Sequence, residues 1–192
     1  MESTEQTEAD WIVRCQRGDK EAFSFLVKRY MRPAYYTALS YVGAHEDALD
    51  LSQEAFAKAY IALPRFEVGK KFYTWYYQIL KNLCLNHIRN RKGKAVSFSS
   101  SHLTQDDNED THDPESPDEP PDIQLERKEL REQVWTALWQ LDPSDRQLIV
   151  ARDILNTSYE MLAELMDCPL GTVMSRLYYA RKKLKQRLQE NM

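Results

Sequence analysis

Residues Tyr159–Lys183 read YEMLAELMDCPLGTVMSRLYYARKK, and this stretch predicts a helix, a tight turn and a second helix. Leu162, Leu165 and Met166 recur at helical spacing, so the first helix has one apolar face. The helix is expected to end at Asp167-Cys168-Pro169, because a residue that precedes proline is pushed out of the α region. This is the layout of a helix-turn-helix, in which the second helix enters the major groove of DNA.

Pro169-Leu170-Gly171-Thr172 is predicted to start the second helix, with Thr172 or Gly171 as its N-cap. Val173 and Leu177 are spaced to face inward. Polar and basic residues remain on the outside: Thr172, Ser175, Arg176, Tyr179, Arg181, Lys182, Lys183, Lys185 and Arg187. The alternative interpretation is an ordinary helical hairpin with a solvated basic end. The turn, the small Ala163 and the one-sided basic end favour DNA binding.

The charge is distributed unevenly along the chain. The formal net charge of the 192 residues is −4, which is unusual for a DNA-binding protein. Nine acidic residues and four prolines lie between Ser99 and Asp122, without a single Lys or Arg. Removing those nine negative charges from −4 leaves +5 for the rest of the chain. The segment has few apolar residues, so it predicts an extended or disordered acidic linker between basic folded parts.

The sequence therefore predicts an all-α protein of two small helical domains joined by an acidic, Pro-rich flexible linker. Residues 1–95 form the first domain, 96–122 the linker and 123–192 the second domain. Only five glycines and long apolar periodicities favour helix over sheet. The predicted helices are Glu8–Arg17, a helix capped by Asp19 that continues past Pro33 to Leu39, Glu46–Leu63, Phe72–Asn90, Leu125–Leu141, Ser144–Ile154 and the final pair.

Motifs that are missing from the sequence indicate its cellular compartment and argue against a metal site or a catalytic site. We expect no signal peptide and no membrane insertion, because the N-terminus is acidic and polar and no apolar run is long enough to cross a bilayer. Cys15, Cys84 and Cys168 are scattered and lack metal-ligand spacing, which fits a reducing cytoplasm. We expect no metal, no cofactor and no catalytic site, since the four histidines are dispersed and no nucleophile motif occurs.

A second basic segment lies between Arg65 and Lys94, where eight basic residues face one acid, Glu67. Basic side chains neutralise phosphates, and aromatic rings stack on unpaired bases, so the mixture suits single-stranded or opened DNA. Six aromatic residues in twelve positions cannot all face inward on one amphipathic helix. At least one of Tyr73, Tyr76 and Tyr77 is expected at the surface, whereas Trp75 shares a face with Ile79 and is expected in the core. The six are Phe66, Phe72, Tyr73, Trp75, Tyr76 and Tyr77.

An acidic face is predicted on the third helix. Asp50 and Glu54 are four residues apart with Gln53 beside them. A solvated face is the simplest interpretation, and paired carboxylates also occur in acid-base or metal sites. No histidine at ligand spacing supports the latter, so protein docking is the better functional interpretation.

Together these motifs resemble a bacterial sigma factor of the extracytoplasmic-function type, over nearly the whole chain. Asp50-Leu-Ser-Gln-Glu-Ala-Phe56 is similar to that family's signature for binding core RNA polymerase. Phe72-Tyr-Thr-Trp-Tyr-Tyr-Gln-Ile-Leu-Lys-Asn82 resembles its promoter-melting segment. Gly171-Thr-Val-Met-Ser-Arg176 with Ala180-Arg181 looks like its minus-thirty-five-binding half, and Met166-Asp-Cys-Pro-Leu-Gly-Thr-Val173 resembles the sigma-E-like branch. The resemblance implies a sigma-2-like helical bundle followed by a sigma-4-like helix-turn-helix domain.

The resemblance also implies roles for individual residues. Docking to core polymerase, on the coiled coil of the largest subunit, falls to Asp47, Asp50, Gln53, Glu54 and Phe56. Binding and melting of the minus-ten element fall to Arg65, Lys70, Lys71, Phe72, Tyr73, Trp75, Tyr76, Lys81, Asn82 and Arg89. Binding of the minus-thirty-five element, within the helix-turn-helix of residues 159–183, falls to Gly171, Thr172, Met174, Ser175, Arg176, Tyr178, Tyr179, Arg181 and Lys182. The polymerase flap and an anti-sigma factor, often membrane-bound in this family, are further implied partners, and a stress or envelope response is the implied setting.

The sequence departs from the family pattern where the second helix would meet DNA. Met174 and Tyr179 stand where the sigma-E-like branch has Arg, and loss of an Arg that contacts guanine removes a strong base contact. We therefore expect a shifted or relaxed minus-thirty-five preference. Tyr76 and Leu80 also differ from the usual Leu and Ala of the melting segment. The alternative function is a helix-turn-helix regulator that is not a polymerase subunit; it would need neither the basic aromatic segment nor the docking helix. An enzyme acting on nucleic acid is disfavoured by the lack of a catalytic constellation.

Overall fold

The computed structural model describes residues 7–97 and 121–190, and the regular elements in these two ranges are helical, in agreement with the predicted class. The helices are α1 (Glu8–Gln16), α2 (Lys20–Val42), α3 (His45–Ala62), a 3₁₀ turn (Leu63–Arg65), α4 (Phe72–Ser97), α5 (Pro121–Trp139), α6 (Pro143–Ile149), a π turn (Val150–Ile154), α7 (Tyr159–Met166) and α8 (Leu170–Glu190). The predicted flexible linker falls almost wholly outside the described residues. Within these ranges, no helix combines the length and apolar character needed to cross a bilayer.

Local side-chain chemistry sets the helix ends. Thr7 caps α1 through a reciprocal pair of hydrogen bonds with Asp10, in which each side chain accepts from the other residue's backbone N–H. Asp19 caps α2, as predicted, by accepting from the backbone of the first turn. Gly43 ends α2 in the left-handed conformation, with φ +80°. Asp167 ends α7 in the same conformation, at φ +50°, just before Pro169.

Several predicted boundaries are wrong, including the start of α5 at Pro121 rather than Leu125, the N-cap of α8 and the end of α4. The backbone N–H groups of Thr172 and Val173 both donate to the carbonyl of Pro169, at 2.9 and 3.1 Å, so α8 begins at Leu170 and neither Gly171 nor Thr172 is its N-cap. Helix α4 continues to Ser97, past the predicted end at Asn90. At the start of α8 and at the end of α4, the helix therefore extends beyond the residues from which its boundary was predicted.

The first four helices pack around one stripe of α4. Phe72, Tyr76, Leu80 and Cys84 follow one another at four-residue spacing, and all four side chains are fully buried. They meet the buried faces of α2 and α3, to which Leu26 and Phe56 belong. This stripe holds α4 in place and decides which of its side chains can face outward.

The C-terminal helices bury a smaller set of side chains. Leu162 and Leu165 of α7 pack with Val173 and Leu177 of α8, which confirms the inward face predicted for each. Ser158 caps α7 by accepting from the N–H of Met161 at 3.2 Å. These contacts hold the two helices as a helix-turn-helix with the opposite side of α8 exposed.

A buried guanidinium joins the two halves. Arg146 of α6 is only 4% exposed, and its Nε donates to the carbonyl of Ser40 in α2 at 2.7 Å. Its guanidinium also lies over the ring of Trp139, 3.6 Å from the ring centroid. Burial lowers the pKa of Arg146 to about 10, so the group keeps its charge at neutral pH and depends on these two contacts. A buried charge that loses its partner is strongly destabilising, so this contact resists separation of the halves.

Glycine is required at the same junction. A Cβ placed on Gly43 would lie 2.5 Å from Cζ2 of Trp139, closer than real side chains approach. Next to it, the rings of Tyr36 and Trp135 stack with centroids 6.2 Å apart and planes 4° apart. Helices α5 and α6 therefore pack against the C-terminal end of α2. Glycine at position 43 permits both the left-handed turn and the close approach of the Trp139 indole.

We expect Gly43→Ala to destabilise the chain by more than strain alone. A non-glycine residue in the left-handed region costs about 1–2 kcal/mol, and the contact with Trp139 adds to this. Gly18→Ala is the matched control, because Gly18 has φ +96° but nothing within 4 Å of its would-be Cβ. Urea unfolding followed by circular dichroism measures both. The excess cost at Gly43 should vanish in a Trp139→Ala background; if it persists, the close approach is not its cause.

Candidate nucleic-acid and protein interfaces

The exposed side of α3 carries the predicted acidic face. Asp50, Gln53 and Glu54 are exposed, and Glu54 pairs along the helix with Lys58 at 3.3 Å. Exposed pairs of this kind contribute little to stability, so the carboxylates stay available to a partner. We call Asp50, Gln53 and Glu54 the acidic face.

Two other residues of the predicted docking set are placed differently. Asp47 is half-buried and links α3 to α4, with Oδ2 3.2 Å from Nε2 of His87 and 3.1 Å from Nη1 of Arg91. Phe56 is in the core, where its ring stacks on Tyr76 with centroids 4.5 Å apart. The apolar ring gains more from the core than from solvent, so the exposed part of the predicted docking surface of α3 consists of polar residues and Phe56 lies beneath it.

The burial of α4 corrects the predicted aromatic contacts as well. Phe72 and Tyr76 are fully buried, and the hydroxyl of Tyr76 donates to the carbonyl of Ser52 at 3.1 Å. Tyr77 is also buried, with its hydroxyl 3.0 Å from that of Tyr41. The predicted DNA contacts of Phe72 and Tyr76 do not fit these positions. Both lie on the inward stripe and support the surface from beneath.

Tyr73 and Trp75 are the aromatic side chains of this helix turn that keep part of their surface. The ring of Trp75 is tilted against those of Phe66 and Phe72, with centroids 5.0 and 5.6 Å away. Trp75 is half-buried, whereas the sequence predicted that it lies in the core. Tyr73 stacks on Tyr30, and burial raises the pKa of its hydroxyl to about 12. The two rings flank Thr74 at the start of α4.

A basic loop precedes these rings. Arg65 ends the 3₁₀ turn, and Lys70 and Lys71 follow Gly69, which adopts φ +102°, in the segment before α4; all three basic side chains are exposed. The amide of Gln16 anchors the start of the loop by donating to the carbonyls of Leu63 and Phe66, at 3.0 and 2.8 Å. Sequence reasoning missed Gln16, because nothing in the pattern of α1 distinguishes it from a solvated polar residue. Further along α4, Asn82 and Arg89 are exposed and Lys81 is half-buried.

The C-terminal half covers part of this region. Nζ of Lys71 lies 2.7 Å from Oε2 of Glu164, and the hydroxyl of Thr74 lies 3.4 Å from the sulfur of Met161, both on α7. The hydrogen bond from Lys71 lowers the pKa of Glu164. Tyr73 lines a crevice that is closed on the other side by residues of the C-terminal half, among them Leu165 and Met166. The first helix of the helix-turn-helix therefore lies over the start of α4.

The outward side of α8 remains open in the same arrangement. The side chains predicted to face DNA are exposed: Gly171, Thr172, Met174, Ser175, Arg176, Tyr178, Tyr179, Arg181 and Lys182. Arg181 is held by a bidentate pair with Asp153, and Lys183 by Asp145 at 2.6 Å. The hydrogen bond to Asp153 raises the pKa of Arg181. These pairs orient two of the basic side chains and leave Arg176 and Lys182 exposed.

Two family models match the chain in order, and together they cover more than half of it. The model described as Sigma-70 region 2 matches residues 26–94, and the model described as Sigma-70, region 4 matches residues 131–184. The first range contains the acidic face, the basic loop and most of α4. The second contains α6 to the middle of α8.

Full-length relatives are also found. The RNA polymerase sigma-H factor of Pseudomonas aeruginosa is 35% identical, over 97% of this chain and 96% of that protein. The ECF RNA polymerase sigma-E factor of Escherichia coli K12 is 33% identical, over 97% of each chain. A third, the sigma-E factor of Haemophilus influenzae, is 32% identical over the same shares.

Two solved structures share the fold. CnrH, in complex with the cytosolic domain of CnrY, matches with a TM-score of 0.69 and 23% identity, over 96% of this chain and 99% of that one. The sigma factor RpoE from Bartonella quintana, in complex with the anti-sigma factor NepR, matches with a TM-score of 0.64 and 24% identity, over 88% and 98%. At these identities the likeness concerns the fold.

The positions of Tyr76 and Trp75 predict different costs of truncation. Tyr76→Ala removes a fully buried ring and should lower the free energy of unfolding by about 3–5 kcal/mol. Trp75→Ala should cost clearly less, because the indole is only partly buried. Tyr76→Phe is the control that removes only the hydrogen bond to Ser52, at about 1 kcal/mol. Urea denaturation gives all three values, and equal losses for the two alanine variants would contradict the assignment of Tyr76 to the core.

Proposed function

We infer the detailed function from one premise: the chain belongs to the extracytoplasmic-function family of sigma factors, with a sigma-70 region 2 and a sigma-70 region 4. A sigma factor directs transcription initiation and is not itself an enzyme. Three surfaces of this chain are proposed to carry that activity. The observation that carries this proposal is that each matched half presents an exposed polar or basic surface in the order the family requires.

The acidic face is proposed to dock on core RNA polymerase, at the coiled coil of its largest subunit. Asp50, Gln53 and Glu54 are exposed, point the same way along α3 and remain uncovered when the two halves pack together. A negatively charged patch suits a basic partner surface, because complementary charge speeds encounter and fixes register. Asp47 contributes by holding α3 against α4.

The basic loop and the start of α4 are proposed to hold the opened minus-ten strand. Arg65, Lys70 and Lys71 can neutralise phosphates, while Trp75 and Tyr73 offer ring surface on which an unpaired base can stack. The stripe of Phe72 and Tyr76 beneath them keeps those rings in fixed positions. Asn82 and Arg89, exposed further along α4, would continue the contact with the strand.

The outward side of α8 is proposed to bind the minus-thirty-five element in the major groove. Ser175, Arg176 and Lys182 supply hydrogen-bond donors and positive charge. Met174 and Tyr179 supply neither the charge nor the bidentate donors of arginine, so the preferred element should differ from that of relatives with arginine there. Selection of bound sequences from a random library, using the reconstituted holoenzyme, would reveal the difference.

An anti-sigma factor is proposed to stabilise the closed arrangement of the two halves. The pairs Lys71–Glu164 and Thr74–Met161 cover part of the minus-ten surface, so a protein that binds both halves would keep that surface from DNA. We further predict that this partner is anchored in a membrane. The proposed function places the chain in the cytoplasm, where polymerase and promoters are found.

The main test is transcription from a defined promoter by core polymerase with and without the chain. A sigma factor starts specific transcripts, whereas a helix-turn-helix regulator changes the output of another holoenzyme. The acidic face and the basic loop favour the first function, because a regulator that never joins the polymerase needs neither.

Reversal of one charge on the acidic face should weaken the complex with polymerase. We expect Asp50→Lys to reduce the affinity for core enzyme about tenfold or more, because a repulsive pair replaces an attractive one. Glu21→Lys, the same charge change at an exposed position of α2, is the control. Competition with a labelled sigma factor for core polymerase measures both affinities. Equal binding by Asp50→Lys and the wild type would show that docking uses another surface.

Truncation of the half-buried indole of Trp75 should impair promoter opening. Trp75→Ala removes a stacking surface worth about 1–3 kcal/mol per base, so open complexes should become about five- to a hundredfold less abundant. Fluorescence of 2-aminopurine placed in the minus-ten element reports strand opening directly. The fluorescence should fall while binding of the closed promoter through α8 is retained. Normal opening by the variant would exclude Trp75 from the melting step.

A further inference from the structure

An apolar row runs along the exposed side of α8. Leu170, Met174 and Tyr178 follow one another at four-residue spacing, and Lys182 continues the row. Their exposed fractions are 38%, 48% and 66% for the three apolar side chains. Side chains at this spacing lie on one face of a helix, so the row forms a continuous ridge that ends in a positive charge.

This ridge is not part of the core. The inward side of α8 is a separate row of Val173, Leu177 and Ala180, all fully buried. The ridge stays exposed although the two halves pack closely elsewhere. No described residue covers the ridge, so its apolar surface is available to a binding partner.

The charge around the ridge selects the class of partner. Helix α8 contains no acidic residue from Leu170 to Gln189. Among the described residues, Arg176, Lys182 and Lys185 are exposed and make no ion pair, whereas Arg181 and Lys183 are paired with Asp153 and Asp145. An apolar ridge within a basic surface is complementary to the major groove, where phosphates flank a floor of base edges.

On the floor of the major groove, the apolar group is the 5-methyl of thymine. The methionine side chain carries no hydrogen-bond donor and only a weak acceptor, so it cannot recognise guanine as arginine does. It can bury a methyl group against its thioether, and residues near the N-terminus of a recognition helix are those that reach base edges. Met174 stands five residues into α8, within that part of the helix.

We propose that Met174 is a specificity-determining residue that reads thymine through its 5-methyl group in the minus-thirty-five element. The proposal rests on the proposed function of α8 and names the chemical group that the helix reads. Leu170 and Tyr178 flank the contact along the ridge and exclude water from it. The residue at position 174 would thus recognise thymine through an apolar contact, where arginine in relatives would recognise guanine through hydrogen bonds.

Replacement of thymine by deoxyuridine tests this directly, because it removes only the methyl group. Holoenzyme reconstituted from core polymerase and the full chain is bound to its selected promoter, with each thymine of the minus-thirty-five element replaced in turn. At one position or more the wild type should bind the deoxyuridine promoter about fourfold more weakly, the effect of one buried methyl group. With Met174→Ala the ratio at that position should fall to about one, as expected when the methyl loses its partner. Met174→Leu should keep a ratio above one, because leucine is apolar and of similar size.

Thymines of the minus-ten element provide the internal control, since their replacement should not depend on residue 174. A ratio of one at every minus-thirty-five thymine for the wild type would overturn the proposal, as would a ratio that is the same in Met174→Ala. If Met174→Ala instead lowers the affinity for core polymerase and leaves the thymine ratio intact, the ridge binds protein and the proposal is wrong. Failure of the proposed function looks different, because the holoenzyme would then select no promoter sequence at all.

Discussion

The buried stripe of α4 is the constraint on which the promoter-binding half depends. Phe72, Tyr76, Leu80 and Cys84 occupy successive turns of one face and are all fully buried. A helix has one such face, so burial of these four decides that Tyr73 and Trp75 retain accessible ring surface. A surface that holds an unpaired base must be rigid, because the base gains only a few kcal/mol from stacking. The core beneath supplies that rigidity.

The second organising feature is the junction at the end of α2. Arg146 is buried with its charge directed at the carbonyl of Ser40 and the face of Trp139, and the indole lies against Gly43, where no side chain fits. Separation of the halves would leave the buried guanidinium without these partners, which is costly. With the halves packed in this way, α7 covers Lys71 and Thr74, while the acidic face of α3 stays open.

The two surfaces proposed to bind DNA differ in their chemistry. The basic loop and α4 combine positive charge with aromatic rings, which suits bases that have left the duplex. Helix α8 combines positive charge with an apolar ridge, which suits the floor of an intact major groove. Asp153 and Asp145 hold Arg181 and Lys183 in place, and α8 has no acidic residue from Leu170 to Gln189. The surface proposed to face DNA is therefore more positive than the composition of the chain suggests.

Periodicity and short-range chemistry were enough to predict the helices. The inward positions of α7 and α8 and the cap at Asp19 follow from local spacing, because helix formation and capping involve residues a few positions apart. Family motifs located the surfaces. What they could not decide was which aromatic residues of α4 are buried, since Phe72, Tyr73, Trp75 and Tyr76 all carry large aromatic rings and lie within five positions. Only packing against α2 and α3 distinguishes them. The roles of Gly43, Arg146 and Gln16 were likewise beyond the sequence, because each depends on a group far away along the chain that only the tertiary structure brings into contact.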